Sequence, residues 1–349
     1  MDIALRFDMR NAPTSVPREL RYAASVEMAE WADARGFDLI KFMEHHGAPD
    51  GYNPSPIVLA SAVAARTARV RLRFSVLLLS MHHPLRVAED LAVLDLISQG
   101  RVEVTAGAGY VPHEFAMFGL DIADRAKLLE ENILTLRQAW TGEPFEFRGT
   151  EVRVTPRPYR DRMIPIYVGG SSPLAARIAA RIGDGFEPTG TMYIERYIAA
   201  CAAIGKEPGW TSGPRHDFTL LHISEDPDRT WARMAPFAAH ESSEYAKLGA
   251  EPRLFSSAED LEKLREPGRY TIVTPDEAVE LLTRLGPGSE INFSPLMGGM
   301  DPELGWESLE LLANVVLPRL EEAGVRQPYA QRGHSGPGRS SGADQVLAR

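Results

Sequence analysis

Short apolar runs alternate with longer amphipathic segments along most of the chain. The first run precedes a segment that begins at Pro17 and ends at Gly36, and these residues are typical start and stop signals of a helix. Eight such alternations predict an α/β fold. We expect a (β/α)8 TIM barrel, because a doubly wound sheet usually stops near five or six strands. The predicted strands lie in residues 2–8, 39–44, 71–80, 101–109, 164–170, 185–190, 217–226 and 291–297.

Two segments are longer than a barrel requires. Residues 143–163 predict a small hairpin insertion before strand 5, and residues 232–273 predict a long lid-like insertion after strand 7. The second segment contains Phe237, His240 and Tyr245, which suit a lid, although a plain surface insertion explains them equally well. We therefore expect one barrel domain over residues 1–326. The remainder, 327–349, is rich in Gly, Ser, Arg and Gln and predicts a disordered tail.

Composition and charge limit the classes of protein to which the chain could belong. The chain has 349 residues, of which 44% are hydrophobic and 25% charged, as in ordinary soluble proteins. Its net charge of -10 offers no basic stripe for a nucleic acid, so we expect no such partner. The amino terminus carries charges within its apolar run and resembles neither a signal peptide nor a membrane helix. We therefore expect a cytoplasmic protein without a membrane partner.

The second predicted strand ends in a carboxylate and two imidazoles, Glu44, His45 and His46. In a barrel, functional groups gather where strands end, and histidine suits proton transfer near neutral pH. From position alone, a catalytic histidine and an ordinary loop histidine are about equally supported. The pair His82 and His83, which follows the third strand, favours a structural role.

A metal site is the weaker interpretation of these histidines. The two pairs could be combined with Asp8, but adjacent histidines usually point in different directions, so we predict no bound metal. Cys201 is the single cysteine, which excludes a disulfide within the chain and a zinc site built from cysteines. Its helical, alanine-rich context predicts a small packed residue rather than a nucleophile.

Two glycine-containing turns are candidates for ligand contacts. Gly107 and Gly109, at the end of strand four, allow close backbone approach of a flat ligand or a sharp turn. Pro112 excludes a dinucleotide fingerprint there. At residues 169–172, two glycines and two serines lead into a helix near Pro173, where amide groups, hydroxyls and the helix dipole favour a phosphate. Simple capping by serine explains the same residues.

The ordered set of motifs resembles the bacterial luciferase-like flavin monooxygenases. It comprises EHH at 44–46, a helix at 83–101, GAGYVPHEF at 107–115, DRAKLLEE at 124–131 and PIYVGGSSP at 165–173. The resemblance covers about residues 1–325. It implies a (β/α)8 barrel, FMN supplied as FMNH2 by a separate flavin reductase, and O2 activated as a flavin hydroperoxide. It also implies a small organic substrate, and a homodimer formed through the helix at 83–101.

The resemblance further implies roles for single residues. His45 would act as the acid-base or hydroperoxide-stabilising residue. Ser75 and Val76 lie where the family often has a non-proline cis peptide beside the flavin ring, and Gly107 stands in place of a luciferase cysteine. Ala108 stands in place of a second phosphate-contacting arginine, which implies weaker flavin binding. The implied cofactor-binding residues are Glu44, Ser75, Val76, Gly107, Tyr110, Arg125, Gly170, Ser171 and Ser172.

Two other functions remain open at this point. A deazaflavin-dependent branch of the superfamily transfers hydride without oxygen, although EHH is more similar to the flavin branch. Some relatives are flavin-binding barrels without catalysis, but such a binder has no need of an imidazole at His45. The sequence does not predict the substrate, because the insertion that would select it is the part least similar to the family.

Overall fold

The computed structural model describes residues 1–190, 192–212, 220–249, 261–265 and 270–328. Its strands are β1 (Asp2–Phe7), β2 (Leu39–Phe42), β3 (Arg71–Leu77), β4 (Val102–Ala106), β5 (Phe145–Phe147), β6 (Thr150–Val152), β7 (Ile166–Gly170), β8 (Gly185–Pro188), β9 (Trp210–Thr211), β10 (Leu220–Ile223), β11 (Tyr270–Val273) and β12 (Glu290–Phe293). The predicted tail lies outside the described residues from residue 329 onward.

Helices follow most of the strands. They are α1 (Arg18–Ala34), α2 (Pro56–Arg66), α3 (Pro84–Ile97), α4 (Pro112–Met117), α5 (Arg125–Ala139), α6 (Pro173–Ile182), α7 (Met192–Ala203), α8 (Pro227–Lys247), α9 (Leu261–Arg265), α10 (Pro275–Leu285), α11 (Pro302–Leu311) and α12 (Leu317–Glu322). The chain divides into two compact units. Among the described residues, the first unit contains 1–41, 46–54 and 220–328, and the second contains 42–45 and 55–212.

Parallel strands form the centre of the first unit. Strands β12, β1 and β2 are neighbours in that order, and Ile3 of β1 lies opposite Ile291 of β12. Strands β10 and β11 form a separate parallel pair. Ile3, Ala4 and Leu5 of β1 are consecutive and all buried, as expected for a parallel strand with both faces covered.

Helix α8, which extends into the predicted lid-like insertion, packs on the β10–β11 pair. Trp231, Met234 and Ala238 recur at helical spacing and are buried in one apolar cluster with Leu220 and Tyr270. The segment at 232–273 therefore begins as a helix and ends in strand β11, which the sequence analysis did not predict. Residues 250–260 and 266–269 of that segment lie outside the described residues.

The second unit also has a parallel sheet, in the order β3-β4-β7-β8-β9. Val104 of β4 lies between Phe74 of β3 and Ile166 of β7, and all three side chains are fully buried. An antiparallel hairpin of β5 and β6 is present where the first insertion was predicted. The α/β class is confirmed, and each of the eight predicted runs contains a strand. None of the helices in the described part of the chain is long and apolar enough to cross a membrane.

One buried histidine of the first unit makes stability depend on pH. His222, on β10, is buried opposite Ile272. Burial, with a smaller contribution from the charge of Arg233, lowers the pKa of His222 to about 3. An unfolded chain takes up this proton near its ordinary pKa of about 6.5. Between these values the unfolded state binds more protons than the native state, so the free energy of unfolding falls as the pH falls.

We predict that His222→Leu makes the protein less sensitive to acid. Between pH 7 and pH 4, the variant should lose about 2–3 kcal/mol less unfolding free energy than the original chain. The reason is that it lacks the buried imidazole that stays uncharged in the native state while the unfolded chain takes up a proton. Urea titrations at both pH values measure this difference. His113→Leu, at an exposed position on α4, is the control. Equal losses in the original chain and in His222→Leu would contradict the prediction.

Candidate functional site

A histidine held by a buried carboxylate lies at the end of β2. The Nδ1 atom of His45 is 2.7 Å from Oε1 of Glu114, whose side chain is fully buried. Pro112 at the first position of α4 suits the start of a helix and places Glu114 in its first turn. The ring of Tyr110 lies edge-on to the imidazole, with 5.7 Å between ring centroids. Because a buried carboxylate requires a polar partner, this contact fixes the orientation of the His45 ring.

Glu44 has a structural role in the same unit. Its Oε2 atom accepts a hydrogen bond of 2.6 Å from the amide of Leu78, and its Oε1 atom is 2.6 Å from Nε2 of His82. Burial alone would lower the pKa of His82, but the hydrogen bond and the charge of Glu44 outweigh it and raise that pKa. Glu44 therefore joins the end of β2 to the β3–α3 connection, and His82 is its counter-ion.

The peptide bond between Ser75 and Val76 is cis, as the family resemblance implies. Val76 packs against two glycines, since a Cβ atom added to Gly107 would lie 2.5 Å from one Val76 methyl carbon and a Cβ added to Gly169 would lie 2.7 Å from the other. Ser75 donates a hydrogen bond of 3.0 Å to Glu187. Alanine does not fit at either glycine without movement of Val76.

The turn before α6 is both a helix cap and a candidate anion site. The Ser172 hydroxyl accepts a hydrogen bond of 3.1 Å from the Ala175 amide, so the capping interpretation is correct. The Ser172 hydroxyl can still donate a hydrogen bond through its own proton, and Ser171 is exposed. Gly170 has φ +151°, and a Cβ atom there would lie 2.7 Å from that of Ala175. Glycine at 170 therefore allows both this backbone conformation and the close approach of Ala175.

Arg125 is the first residue of α5 and is exposed. Its Nη1 atom donates a hydrogen bond of 2.9 Å to the carbonyl oxygen of Ile122. Its assignment to a phosphate stays a prediction.

Sequence analysis did not identify two carboxylates of this site. Glu114 holds His45, and Glu187 accepts hydrogen bonds from Ser75 and Thr105. The sequence contains a signal that could have identified both residues. Each is an acidic residue at or just after the carboxyl end of a predicted strand, where barrel enzymes place functional groups. Their hydrogen-bond partners lie on or after other strands, so no fixed spacing along the sequence connects each carboxylate with its partner.

These features define an α/β protein with a carboxylate-anchored histidine at the end of a parallel strand. The chain belongs to the luciferase-like monooxygenase family, whose model matches residues 1–291. That family membership confirms the resemblance stated from the sequence motifs.

Two relatives of known activity differ in their chemistry. The chain is 33% identical over 331 residues to 4-hydroxyprotoasukamycin monooxygenase of Streptomyces nodosus subsp. asukaensis, covering 87% of this chain and 89% of that protein. It is 29% identical over 350 residues to an F420-dependent glucose-6-phosphate dehydrogenase of Microbacterium testaceum, covering 92% and 99%. Among solved structures, the monooxygenase RslO1 of Streptomyces bottropensis has a TM-score of 0.72 at 27% identity, covering 91% of this chain and 99% of that one. Both named activities are those of oxidoreductases.

We predict that Gly107→Ala destabilises the protein through Val76. The added methyl group would overlap a Val76 methyl group at 2.5 Å, and overpacking of this kind costs about 1–3 kcal/mol. Thermal unfolding measures the loss, and the double variant Gly107→Ala/Val76→Ala should recover much of it. Gly190→Ala is the matched control, because its nearest side-chain atom would lie 3.8 Å away. No recovery in the double variant would contradict this packing.

Proposed function

We propose that the protein is an FMNH2-dependent monooxygenase that oxygenates a small organic substrate within a (β/α)8 barrel. The observation that carries the proposal is the His45–Glu114 pair at the end of β2, in a chain of the luciferase-like monooxygenase family. The oxygenating relative from Streptomyces nodosus subsp. asukaensis supports the same reaction class.

Residues of the second unit fit a flavin phosphate and ring. The Gly170 turn would be filled by a Cβ atom, and with Ser171 and Ser172 it offers amide and hydroxyl donors at the positive end of α6. Val76, after the cis Ser75–Val76 bond, packs closely on Gly107, and the family resemblance implies that the flavin ring binds beside these residues. Arg125 would add a positive charge for the phosphate. Reduced FMN, when bound, supplies the electrons that activate O2.

His45 is the proposed acid-base residue. Its Nδ1 atom is held by Glu114, which fixes the orientation of the imidazole that would exchange a proton with a bound ligand. Glu114 would therefore be a positioning residue, which orients the ring without touching the substrate.

The second candidate is an F420-dependent oxidoreductase that transfers hydride. It is favoured by the relative from Microbacterium testaceum, which matches 92% of this chain. The same histidine pair would then exchange a proton with a substrate hydroxyl group, and O2 would play no part.

We also propose a homodimer and a separate flavin reductase that supplies FMNH2. Helix α3 supports the dimer, because three of its large apolar side chains are exposed: Val93 by 44%, Leu96 by 39% and Ile97 by 48%. Exposed apolar groups clustered on one helix are typical of protein contacts.

We predict that the protein binds reduced FMN under anaerobic conditions. After rapid mixing with O2, the flavin spectrum should pass through a transient species that outlives the oxidation of free FMNH2, because a closed site excludes water. Stopped-flow absorbance measures this, with free FMNH2 as the control. Oxidation at the rate of free flavin, combined with tight binding of F420 and hydride transfer, would overturn the proposal and favour the second candidate.

We predict that His45→Ala lowers turnover by about 10²–10⁴-fold, the usual contribution of general acid-base catalysis. FMN affinity should change little, because the proposed phosphate contacts lie elsewhere. Glu114→Gln should cause a smaller loss of turnover, since an amide keeps the shape but not the charge. Once a substrate is known, steady-state kinetics measure the loss of turnover, and flavin titration measures the affinity for FMN. Full turnover in His45→Ala would contradict the proposed acid-base role of His45.

A further inference from the structure

Arg10, in the loop after β1, is a fully buried arginine with one edge of its guanidinium group unused. Its Nη1 atom forms a close hydrogen-bonded ion pair with Oδ2 of Asp50, and that oxygen is also 3.2 Å from Nε2 of His240. The Nε and Nη2 atoms of Arg10 are buried and have no hydrogen-bond partner within the described ranges. Their N–H bonds point in parallel from one edge of the planar group, which is the edge that binds a carboxylate through two hydrogen bonds.

Other buried arginines of this chain use the same edge. In the second unit, Nε and Nη2 of Arg73 lie 2.8 Å and 2.7 Å from Oε2 of Glu103. The Nη2 atom of Arg21 donates a hydrogen bond of 2.9 Å to the carbonyl oxygen of Leu296. Among the three arginines that are fully buried in the described part of the chain, only Arg10 leaves both atoms of this edge without a partner. Because buried donors without acceptors are costly, this edge requires an acceptor from outside the described residues.

Two tyrosine rings contact the guanidinium group of Arg10. Its central carbon atom lies 4.5 Å from the ring centroid of Tyr52 and 4.4 Å from that of Tyr245, and the two centroids are 6.0 Å apart. These three distances place the rings in directions roughly at right angles to each other, as seen from Arg10. An N–H group that faces an aromatic ring gains much less than one that donates to a carboxylate. The rings therefore hold Arg10 by cation–π contacts without satisfying its open edge.

The charge balance around Arg10 favours one further negative charge. Burial, followed by the charge of Glu241, raises the pKa of Asp8, and the neighbouring arginines only partly oppose this rise. Asp8 therefore loses its charge more readily than an ordinary aspartate, which leaves the arginines incompletely neutralised. The cluster reaches solvent at Arg6 and His240, each with 15% of its side chain accessible. Its charged members are Arg6, Arg10, Arg21, Asp8, Asp50 and Glu241.

We propose that the first unit contains a binding site for a small organic monocarboxylate, whose two oxygen atoms accept hydrogen bonds from Nε and Nη2 of Arg10. This inference goes beyond the proposed function and is independent of it, because every residue of the site belongs to the first unit and no flavin is involved. A carboxylate matches this edge in its charge and in the spacing of its two oxygen atoms. Phosphate is a poorer match, since it carries more than one negative charge and has further oxygen atoms that would need donors.

Titration calorimetry with sodium acetate tests the site in the full-length protein. Each titration is made at constant ionic strength, with acetate replacing chloride, so that general screening of surface charges does not contribute. We expect saturable binding of a single acetate ion, and binding of inorganic phosphate that is weaker by about tenfold or more.

Two substitutions should change the affinity for acetate in opposite directions. Arg10→Lys should weaken binding by about tenfold or more, because lysine keeps the charge but lacks the planar edge with two parallel donors. Asp50→Asn should strengthen binding by about threefold to tenfold, since it removes the negative charge that competes for Arg10. Circular dichroism checks the folding of each variant. A gain in affinity cannot result from misfolding, so Asp50→Asn keeps the test decisive if Arg10→Lys does not fold.

Arg73→Lys is the matched control. Arg73 is also fully buried, and its guanidinium carbon lies 4.3 Å from the ring centroid of Trp210, but its edge is already filled by Glu103. Because Arg73 shares no partner with Arg10, the affinity for acetate should stay within about twofold of that of the original chain. Absence of saturable acetate binding, equal affinity in Arg10→Lys, or phosphate binding as tight as that of acetate would overturn the inference. No flavin is present in these titrations, so the monooxygenase proposal is tested separately by the FMNH2 and O2 experiment.

Discussion

Buried carboxylates that require partners determine the orientation of three histidine side chains. A charged carboxylate away from water is costly unless hydrogen bonds and opposite charges compensate it. Glu114 is compensated by His45, Glu44 by His82 and the Leu78 amide, and Asp50 by Arg10 and His240. Each contact restricts the orientation of one imidazole, in a loop for His45 and His82 and on helix α8 for His240. The imidazoles are therefore pre-oriented before any ligand arrives.

Close packing determines the surface proposed for the flavin. Val76 lies against Gly107 and Gly169, and neither glycine can gain a methyl group without displacing it. Gly170 has the same restriction toward Ala175. Together these glycines explain why the motifs at the ends of β4 and β7 contain adjacent small residues. They let Val76 and Ala175 approach the backbone more closely than any larger residue would allow.

The sequence by itself determined the α/β class, the positions of the eight predicted strands and the family. Those features depend on local periodicity and on residues that are adjacent in the chain. Only the tertiary structure decided that Glu114 holds His45, that residues 232–247 continue helix α8, and that His240 contacts Asp50. Such pairs are separated by tens to hundreds of residues, and their contact depends on how the helices pack on the strands. Packing of this kind leaves no fixed spacing in the sequence.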